Sequence, residues 1–224
     1  MQQGKALFGR DRFDEALLAY QIGYTLDPEL PGFLRELGAT YDKLGLADKK
    51  TEYYQAYLRA RPLGDSADEI RRVLLKIPGA LGTLVIDSSL PCDELWLNRQ
   101  RVLARLPVTD LSVAPGEYRL LCVNYGHEIA YFEYVEVEPG QAARLRFEWA
   151  IVVNALEKPF GRITIENPRI PGVMMDLGIS RPAVGVIVPR DGRALRMILS
   201  ADTGTRKEER FISLQPGQRY VIKW

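Results

Sequence analysis

The spacing of hydrophobic residues changes once along the chain, close to residue 80. Before that point apolar residues recur at intervals of three and four, which favours amphipathic helices. The clearest stripe is Ile70, Val73, Leu74 and Ile77. From Gly82 onward apolar and polar residues alternate between turn signals such as Pro115-Gly116 and Pro139-Gly140, which favours short antiparallel strands. The pattern predicts a multidomain α + β chain, with helices first and β modules after them.

Two segments of the helical region repeat with a period of 34 residues. The positions that recur are Gly4 and Gly38, Leu7 and Tyr41, Phe13 and Ala47, Ala16 and Lys50, Tyr20 and Tyr54, Gly23 and Tyr57, and Pro28 and Pro62. Small residues let antiparallel helices approach closely, large ones fill the space between them, and each proline ends a helix. We expect two helical hairpins, the second packed more loosely because Lys50 and Tyr57 replace small residues.

The residue pattern of this repeat resembles the tetratricopeptide repeat. The resemblance is carried by Phe13-Asp14-Glu15-Ala16-Leu17 and Leu26-Asp27-Pro28, and again by Leu34, Leu37-Gly38, Tyr41 and Gly45. A third helix is predicted to begin at a capping box, Ser66-Ala67-Asp68-Glu69, and to end at Pro78-Gly79. We interpret it as a terminal helix that covers the second repeat, so the helical region is predicted to span residues 1–78.

The order of short sequence motifs in the β region resembles that of the PEGA domain, a small β-sandwich-like module. The matching phrases are Gly82-Thr83-Leu84-Val85-Ile86, Leu95-Trp96-Leu97-Asn98, Leu106-Pro107-Val108, Ala114-Pro115-Gly116-Glu117-Tyr118 and Asn124-Tyr125-Gly126-His127. The motif that gives the family its name is broken, and reads Ser89-Leu90-Pro91-Cys92-Asp93. The resemblance implies an antiparallel β module over residues 79–150.

Residues 151–224 are predicted to be a second, degenerate copy of that module. Gly161 to Glu166 parallels Gly82 to Asp87 at an offset of 79 residues, and Leu214 to Gln218 parallels Val137 to Gln141 at an offset of 77. The closing phrases lead to Trp224 and Trp149 respectively. The middle of the second copy, from Pro182 to Arg196, matches poorly.

Charge is divided among the three regions although the whole chain has a net charge of only +1. The net values are 0 for residues 1–78, −4 for residues 79–150 and +5 for residues 151–224. Attraction between the two β modules is one interpretation of this imbalance. We favour the other, in which the imbalance is ordinary solvated surface. The near-neutral total gives no general attraction to nucleic acid, and no apolar run is long enough to span a membrane.

Little in the chain points to catalysis or metal binding, and we expect no enzyme activity, no cofactor and no metal. His127-Glu128-Ile129-Ala130-Tyr131 begins like a helical zinc motif but lacks the second histidine ligand. Cys92 and Cys122 form an even pair within one module, so they are either a disulfide or buried free thiols. We favour free thiols, because Cys122 continues the inward alternation of Tyr118 and Leu120.

Three surfaces are candidates for binding. The tetratricopeptide resemblance implies a peptide groove lined by Lys5, Phe8, Arg35, Ala39 and Asp42. Two repeats make only a short, shallow groove, so dimerisation or docking on the adjacent β module is the competing interpretation of this face. Tyr131, Phe132 and Tyr134 offer an aromatic surface. At least one ring must face out of the module, because adjacent residues of a strand point to opposite sides, and packing against a neighbouring module explains such a ring as well as a ligand does. The remaining candidate is the basic set Arg190, Arg193, Arg196, Arg206, Lys207 and Arg210, which we interpret as solvated surface rather than a polyanion site.

These observations favour a non-enzymatic adaptor or scaffold that binds a protein partner. Binding of cell-wall glycan by the β modules is the alternative. The PEGA resemblance implies a bacterial cell-envelope or periplasmic protein, because many such proteins belong to the envelope. Met1 to Lys5 is not an export signal, so this location requires an export or anchor segment upstream, and a cytoplasmic location is the other interpretation. The oligomeric state stays open.

Overall fold

The computed structural model describes residues 1–154, 162–178, 183–200 and 207–222. Within these ranges the chain forms five helices followed by fourteen strands in four small sheets, so it is a mixed α + β protein. The helices are α1 (Gln2–Phe8), α2 (Phe13–Leu26), α3 (Gly32–Lys43), α4 (Ala47–Ala60) and α5 (Asp65–Leu74). The predicted order of helices and strands is confirmed.

The 34-residue period is present in the geometry of the helices. The first and last residues of α4 are those of α2 moved by 34 positions. A Cβ atom at Gly4 would lie 2.5 Å from the ring of Tyr20, and one at Gly38 would lie 2.3 Å from the ring of Tyr54. Only glycine permits this approach. The expectation of a looser second hairpin stays a prediction: its glycine–tyrosine contact is as close as that of the first, and Lys50, whose side chain is 17% exposed, pairs with Asp42 at 2.9 Å.

Helix α5 covers α4 as predicted, but it does not begin with a capping box. Its N-cap is Gly64, with a φ of 103°, and no side chain caps the helix. The Ser66 hydroxyl instead accepts a hydrogen bond from Arg35 at 3.0 Å. The helix buries Ala67, Ile70 and Leu74 in one cluster with Tyr54 and Leu58 of α4.

The first β module contains seven strands in two sheets. The strands are β1 (Gly82–Ser88), β2 (Glu94–Leu97), β3 (Gln100–Val102), β4 (Val108–Val113), β5 (Gly116–Asn124), β6 (Ile129–Val137) and β7 (Ala142–Phe147). One sheet has the order β4-β1-β7 and the other β3-β2-β5-β6. The expectation of purely antiparallel sheets is wrong, because β1 and β7 pair in parallel.

The described part of the second β module repeats this arrangement. Its strands are β8 (Trp149–Asn154), β9 (Ile163–Glu166), β10 (Met174–Gly178), β11 (Ala183–Ile187), β12 (Leu195–Ser200), β13 (Lys207–Ile212) and β14 (Arg219–Ile222). The sheet orders are β11-β8-β14 and β10-β9-β12-β13, again with a parallel pair, β8 with β14. Strand for strand, β8 to β14 take the places of β1 to β7.

The backbone hydrogen bonds give the true alignment of the two modules. The amide of Gly140 donates to the carbonyl of Leu81 at 2.9 Å, and the amide of Gly217 donates to the carbonyl of Trp149 at 2.7 Å. The closing offset of 77 residues is therefore confirmed, whereas the opening strands are offset by 68.

The predicted opening offset of 79 is wrong. Ile163–Glu166 is β9, which pairs with β10 and β12 as β2 pairs with β3 and β5. Gly161, Pro182 and Trp224, which entered the predicted alignment, lie outside the described residues.

Each β module has its own hydrophobic core, and the two cores meet at Trp149. The Trp149 side chain belongs to the first core with Tyr118, Leu120 and Phe147, while Ala150 belongs to the second. Cys92 and Cys122 are joined by a disulfide across that first core, with Cα atoms 5.7 Å apart. The preference for free thiols is therefore wrong, although the inward position of Cys122 is confirmed.

The helical region is held against the first β module by donors that reach its backbone carbonyls. Arg71 donates from Nε to Ser112 of β4 at 2.7 Å and from Nη2 to Pro62 at 2.6 Å. Arg59 donates to Pro115 at 3.2 Å. Charged donors form the stronger class of hydrogen bond, so these contacts orient the helices on the module.

This joint can be tested with two neighbouring arginines of α5. We expect Arg71→Met to lower the free energy of unfolding by about 2–3 kcal/mol, because two carbonyl oxygens lose a charged donor. Arg72 is exposed and donates once, to Asp68 at 3.3 Å, so Arg72→Met should change stability by less than about 0.5 kcal/mol. Urea unfolding followed by helical circular dichroism measures both. Equal effects of the two substitutions would contradict the joint.

Candidate functional site

The residues predicted to line a peptide groove lie on the first helix of each hairpin. Lys5 and Phe8 belong to α1, and Arg35, Ala39 and Asp42 belong to α3. Phe8 and Ala39 are partly buried, and Phe8 packs edge to face against Phe13 at 5.2 Å. Asp42 is exposed and pairs with Lys50 at 2.9 Å.

The two cations of this set meet at one carboxylate that the sequence analysis did not identify. Arg35 Nη2 lies 2.6 Å from Glu36 Oε1, and Lys5 Nζ lies 4.0 Å from the same oxygen. The Glu36 side chain is 15% exposed, against 54% for Lys5 and 38% for Arg35. Two positive charges therefore share the Glu36 carboxylate across α1 and α3, and the charge of Glu69 also acts on Arg35.

The same carboxylate affects a buried tyrosine beneath the α1–α3 face. Burial, followed by the nearby charge of Glu36, raises the pKa of Tyr20 to about 12. The phenol therefore stays neutral at physiological pH. Tyr20 contributes packing against Gly4 rather than charge to this face.

The candidate aromatic residues lie on β6 and differ in exposure. Tyr131 is 6% exposed and packs in the first core against Phe147, whereas Tyr134 is 52% exposed. Phe132 lies between two guanidinium groups, those of Arg119 at 4.5 Å and Arg169 at 5.0 Å from its ring centre. The prediction that at least one of these rings faces out of the module is confirmed.

Arg169 comes from the second β module and connects the two modules. Its guanidinium carbon lies 4.1 Å from the centre of the Tyr131 ring, and its Nε donates to the Tyr131 hydroxyl at 3.2 Å. Its Nη2 donates to the carbonyl of Phe132 and lies 3.5 Å from the Glu133 carboxylate. One side chain thus combines two cation–π contacts, an ion pair and two hydrogen bonds.

A second arginine reaches the same carboxylate. Arg190 Nη2 lies 3.1 Å from Glu133 Oε1, and the Glu133 side chain is 17% exposed. The Tyr131 hydroxyl also donates to Glu133, and burial together with this bond raises the pKa of Tyr131 to about 12. Attraction between the acidic first module and the basic second module, one of the two sequence interpretations, therefore operates at this joint.

These groups line an open cleft of about 340 Å³ between the β modules. Its other walls come from the apolar residues Pro168, Ile187, Val188 and Pro189 and from the acidic residue Asp191. The amide of Gly185 donates to the carbonyl of His127 at 3.3 Å near the cleft. The cleft is thus the seam of an intramolecular interface, closed on one side by the two arginine–glutamate pairs.

The remaining basic residues of the second module have acidic neighbours. Arg193 pairs with Glu166 at 3.1 Å and Arg196 with Glu209 at 2.9 Å, while Arg210 pairs with Glu208. Lys207 is exposed, and Arg206 lies outside the described residues. Most of the predicted basic set is therefore locally neutralised, as expected of solvated surface.

The segment from His127 to Tyr131 is a turn followed by the start of β6, and the His127 ring lies 3.0 Å from the Asn124 side chain. Within the described ranges, no three or more His, Cys, Asp or Glu side chains are grouped so that they could hold a metal ion. No helix in those ranges is long and apolar enough to cross a membrane.

Comparison with known proteins gives no assignment. No protein-family model matches the chain, and a search of the curated proteins found no match. The tetratricopeptide and PEGA assignments therefore rest on the sequence resemblance.

The joint between the β modules can be tested with two arginines of the second module. We expect Arg169→Met to destabilise the protein by about 1–3 kcal/mol, because the cation–π contacts and the charged hydrogen bonds are lost together. The control is Arg162→Met, since Arg162 forms an ion pair with Asp176 in which both side chains are largely exposed. That change should cost less than about 1 kcal/mol. Urea unfolding followed by tryptophan fluorescence compares the two, and a control that costs as much as Arg169→Met would refute the assignment.

Proposed function

We propose that the protein is a non-enzymatic adaptor of a bacterial cell-envelope or surface assembly. In this proposal the tetratricopeptide-like helical region binds a protein partner, and the two PEGA-like β modules support it. The partner contributes a carboxylate, from an acidic side chain or a chain terminus, to the face formed by α1 and α3.

The observation that carries this proposal is the shared carboxylate of Lys5 and Arg35. Two cations from different helices converge on Glu36 and exceed its charge. A partner carboxylate would balance the second cation. Arg35 donates from Nη2 to Glu36 and from Nη1 to Ser66, and its guanidinium has further N–H groups that can bind the partner. Phe8 beside this point offers apolar contact for the rest of a bound peptide.

The proposed location follows from the PEGA-like resemblance and gains support from the disulfide. Cys92 and Cys122 close a loop of 30 residues. Disulfides persist in oxidising compartments such as the periplasm and are rare in the cytosol.

The groove is tested by crosslinking pull-down from cells that express the protein, with charge reversal at Lys5 and Arg35. We expect Lys5→Glu/Arg35→Glu to lose a discrete protein partner that the wild type captures, because three carboxylates would then face the ligand carboxylate. The matched control is Lys43→Glu/Lys76→Glu, which reverses two exposed charges elsewhere in the helical region. Circular dichroism checks that both variants keep their helices.

Two results would overturn the proposal that the α1–α3 face binds the partner. One is capture of the same partner by Lys5→Glu/Arg35→Glu, and the other is equal loss in the control variant. Either would remove the α1–α3 face as the binding site.

A second candidate function, binding of cell-wall glycan, is favoured by one observation. The ring of Tyr134 is 52% exposed and meets the Phe132 ring edge to face at 5.9 Å, which offers a sugar a supported aromatic surface. Sedimentation with insoluble peptidoglycan tests this function. Tyr134→Ala should abolish co-sedimentation, whereas Phe211→Ala, which removes an exposed ring from β13, should not.

A further inference from the structure

The outer face of α2 carries a stripe of large apolar side chains in solvent. Leu18, Ile22 and Leu26 are 59%, 53% and 80% exposed. Their spacing of four residues places them on one side of the helix, over about 12 Å of its length. Leu30, just after the helix, is 42% exposed. We call these four residues the α2 stripe.

The helical repeat does not need the α2 stripe for its own packing. The opposite side of α2 supplies the buried residues Ala16 and Tyr20, which face α1 and α3 in the core of the helical region. In the second hairpin the positions equivalent to Leu18, Ile22 and Leu26 are Glu52, Ala56 and Ala60.

Since α4 repeats the bounds of α2 without large apolar residues there, the stripe is additional to the fold. A surface helix ordinarily presents polar residues to water on that side, and a contiguous exposed apolar patch marks an interaction site.

The rim of the α2 stripe is acidic. Asp14 and Glu15 lie in the first turn of α2, and Asp27 and Glu29 follow its last turn. Arg12 pairs with Glu15, which leaves Asp14, Asp27 and Glu29 to set the sign of the rim. All three are exposed.

This charge selects among the possible occupants of the stripe. In a symmetric pair of chains, two α2 helices crossing antiparallel would bring Asp14 of one copy towards Asp27 and Glu29 of the other, which is repulsive. An anionic lipid surface is repelled for the same reason. A helix that is apolar on one side and basic at its edges complements both the stripe and the rim.

We propose that the α2 stripe is a docking site for a basic amphipathic helix of a partner protein. Its apolar residues at positions i, i+4 and i+7 or i+8 pack between Leu18, Ile22 and Leu26, and its flanking lysines or arginines face Asp14, Asp27 and Glu29. This site lies on the second helix of the hairpin, away from the Lys5–Glu36–Arg35 cluster on α1 and α3.

The experiment uses the full chain and a fluorescent synthetic helix of leucine and lysine in amphipathic order. We expect saturable binding by fluorescence anisotropy that weakens at least about tenfold in Leu18→Gln/Ile22→Gln, because two apolar contacts are lost. The matched control is Leu75→Gln/Leu103→Gln, whose leucines are 60% and 92% exposed elsewhere, and it should bind as the wild type does.

Further variants and a second peptide separate the electrostatic contribution to binding from the apolar contribution. Asp14→Asn/Asp27→Asn/Glu29→Gln should weaken binding and reduce its salt dependence, and a helix of leucine and glutamate should not bind. Lys5→Glu/Arg35→Glu should leave binding of the leucine–lysine helix unchanged, so failure of the groove and failure of this site are distinguishable.

Four outcomes would overturn the proposal. The first is no saturable binding of the leucine–lysine helix, and the second is binding that Leu18→Gln/Ile22→Gln does not weaken. The third is a dimer in sedimentation of the wild type that Leu18→Gln/Ile22→Gln abolishes, because the occupant would then be a second copy of this chain. Association with anionic vesicles that depends on the stripe would equally replace the helix by a lipid surface.

Discussion

The relation between the helices and the strands depends on the guanidinium of Arg71. This side chain is 14% exposed, and its donors reach carbonyl oxygens of β4 and of the end of the second hairpin, while Asp68 balances its charge. A largely buried arginine is tolerated only when its charge and its donors are satisfied. Helix α5 therefore cannot turn on β4 without leaving a buried cation and a bare carbonyl. Because α4 packs on α5, this contact also restrains α4, to which the bond from Arg59 to Pro115 and the bond from Asn98 to Arg59 add.

The two β modules are in contact through a side of the second module. It is equivalent to the side of the first module that contacts the helices. Ser112 of β4 receives Arg71 from the helices, and Gly185, its equivalent on β11, donates to His127 of the preceding module. The turns beside these strands also correspond. In the first module, Asn98 and Pro115 lie in two turns that contact the helices. In the second module, Arg169 and Arg190 lie in the equivalent turns and contact β6. The chemistry differs between the joints, because the arginines come from the helices in the first and from the module itself in the second. The two modules thus share a docking side but not the residues that use it.

Local patterns predicted more of this fold than long-range ones. The 34-residue period fixed the two hairpins, because contacts such as Gly4 with Tyr20 form within one short repeat. The alternation near Ile163 correctly predicted a strand but assigned it to the wrong place in the module, since any half-buried strand shows that alternation and pairing depends on distant partners. Glu36 and Arg169 were missed for a related reason. Each acts on residues of another element, and the division of charge between the modules was the one sequence signal that pointed to Arg169.

The helical region has two different surfaces, the charged α1–α3 face and the apolar α2 stripe. The α1–α3 face gathers charge, because side chains from two helices meet at Glu36. The α2 stripe instead places large apolar side chains along one helix. The equivalent positions of α4 are a glutamate and two alanines, so the helical hairpin forms without large apolar residues there. Exposed leucines that add nothing to the core carry an aggregation cost unless a partner covers them. The two surfaces use different helices of the hairpin, so under the two proposals made above each face has its own partner, as in an adaptor.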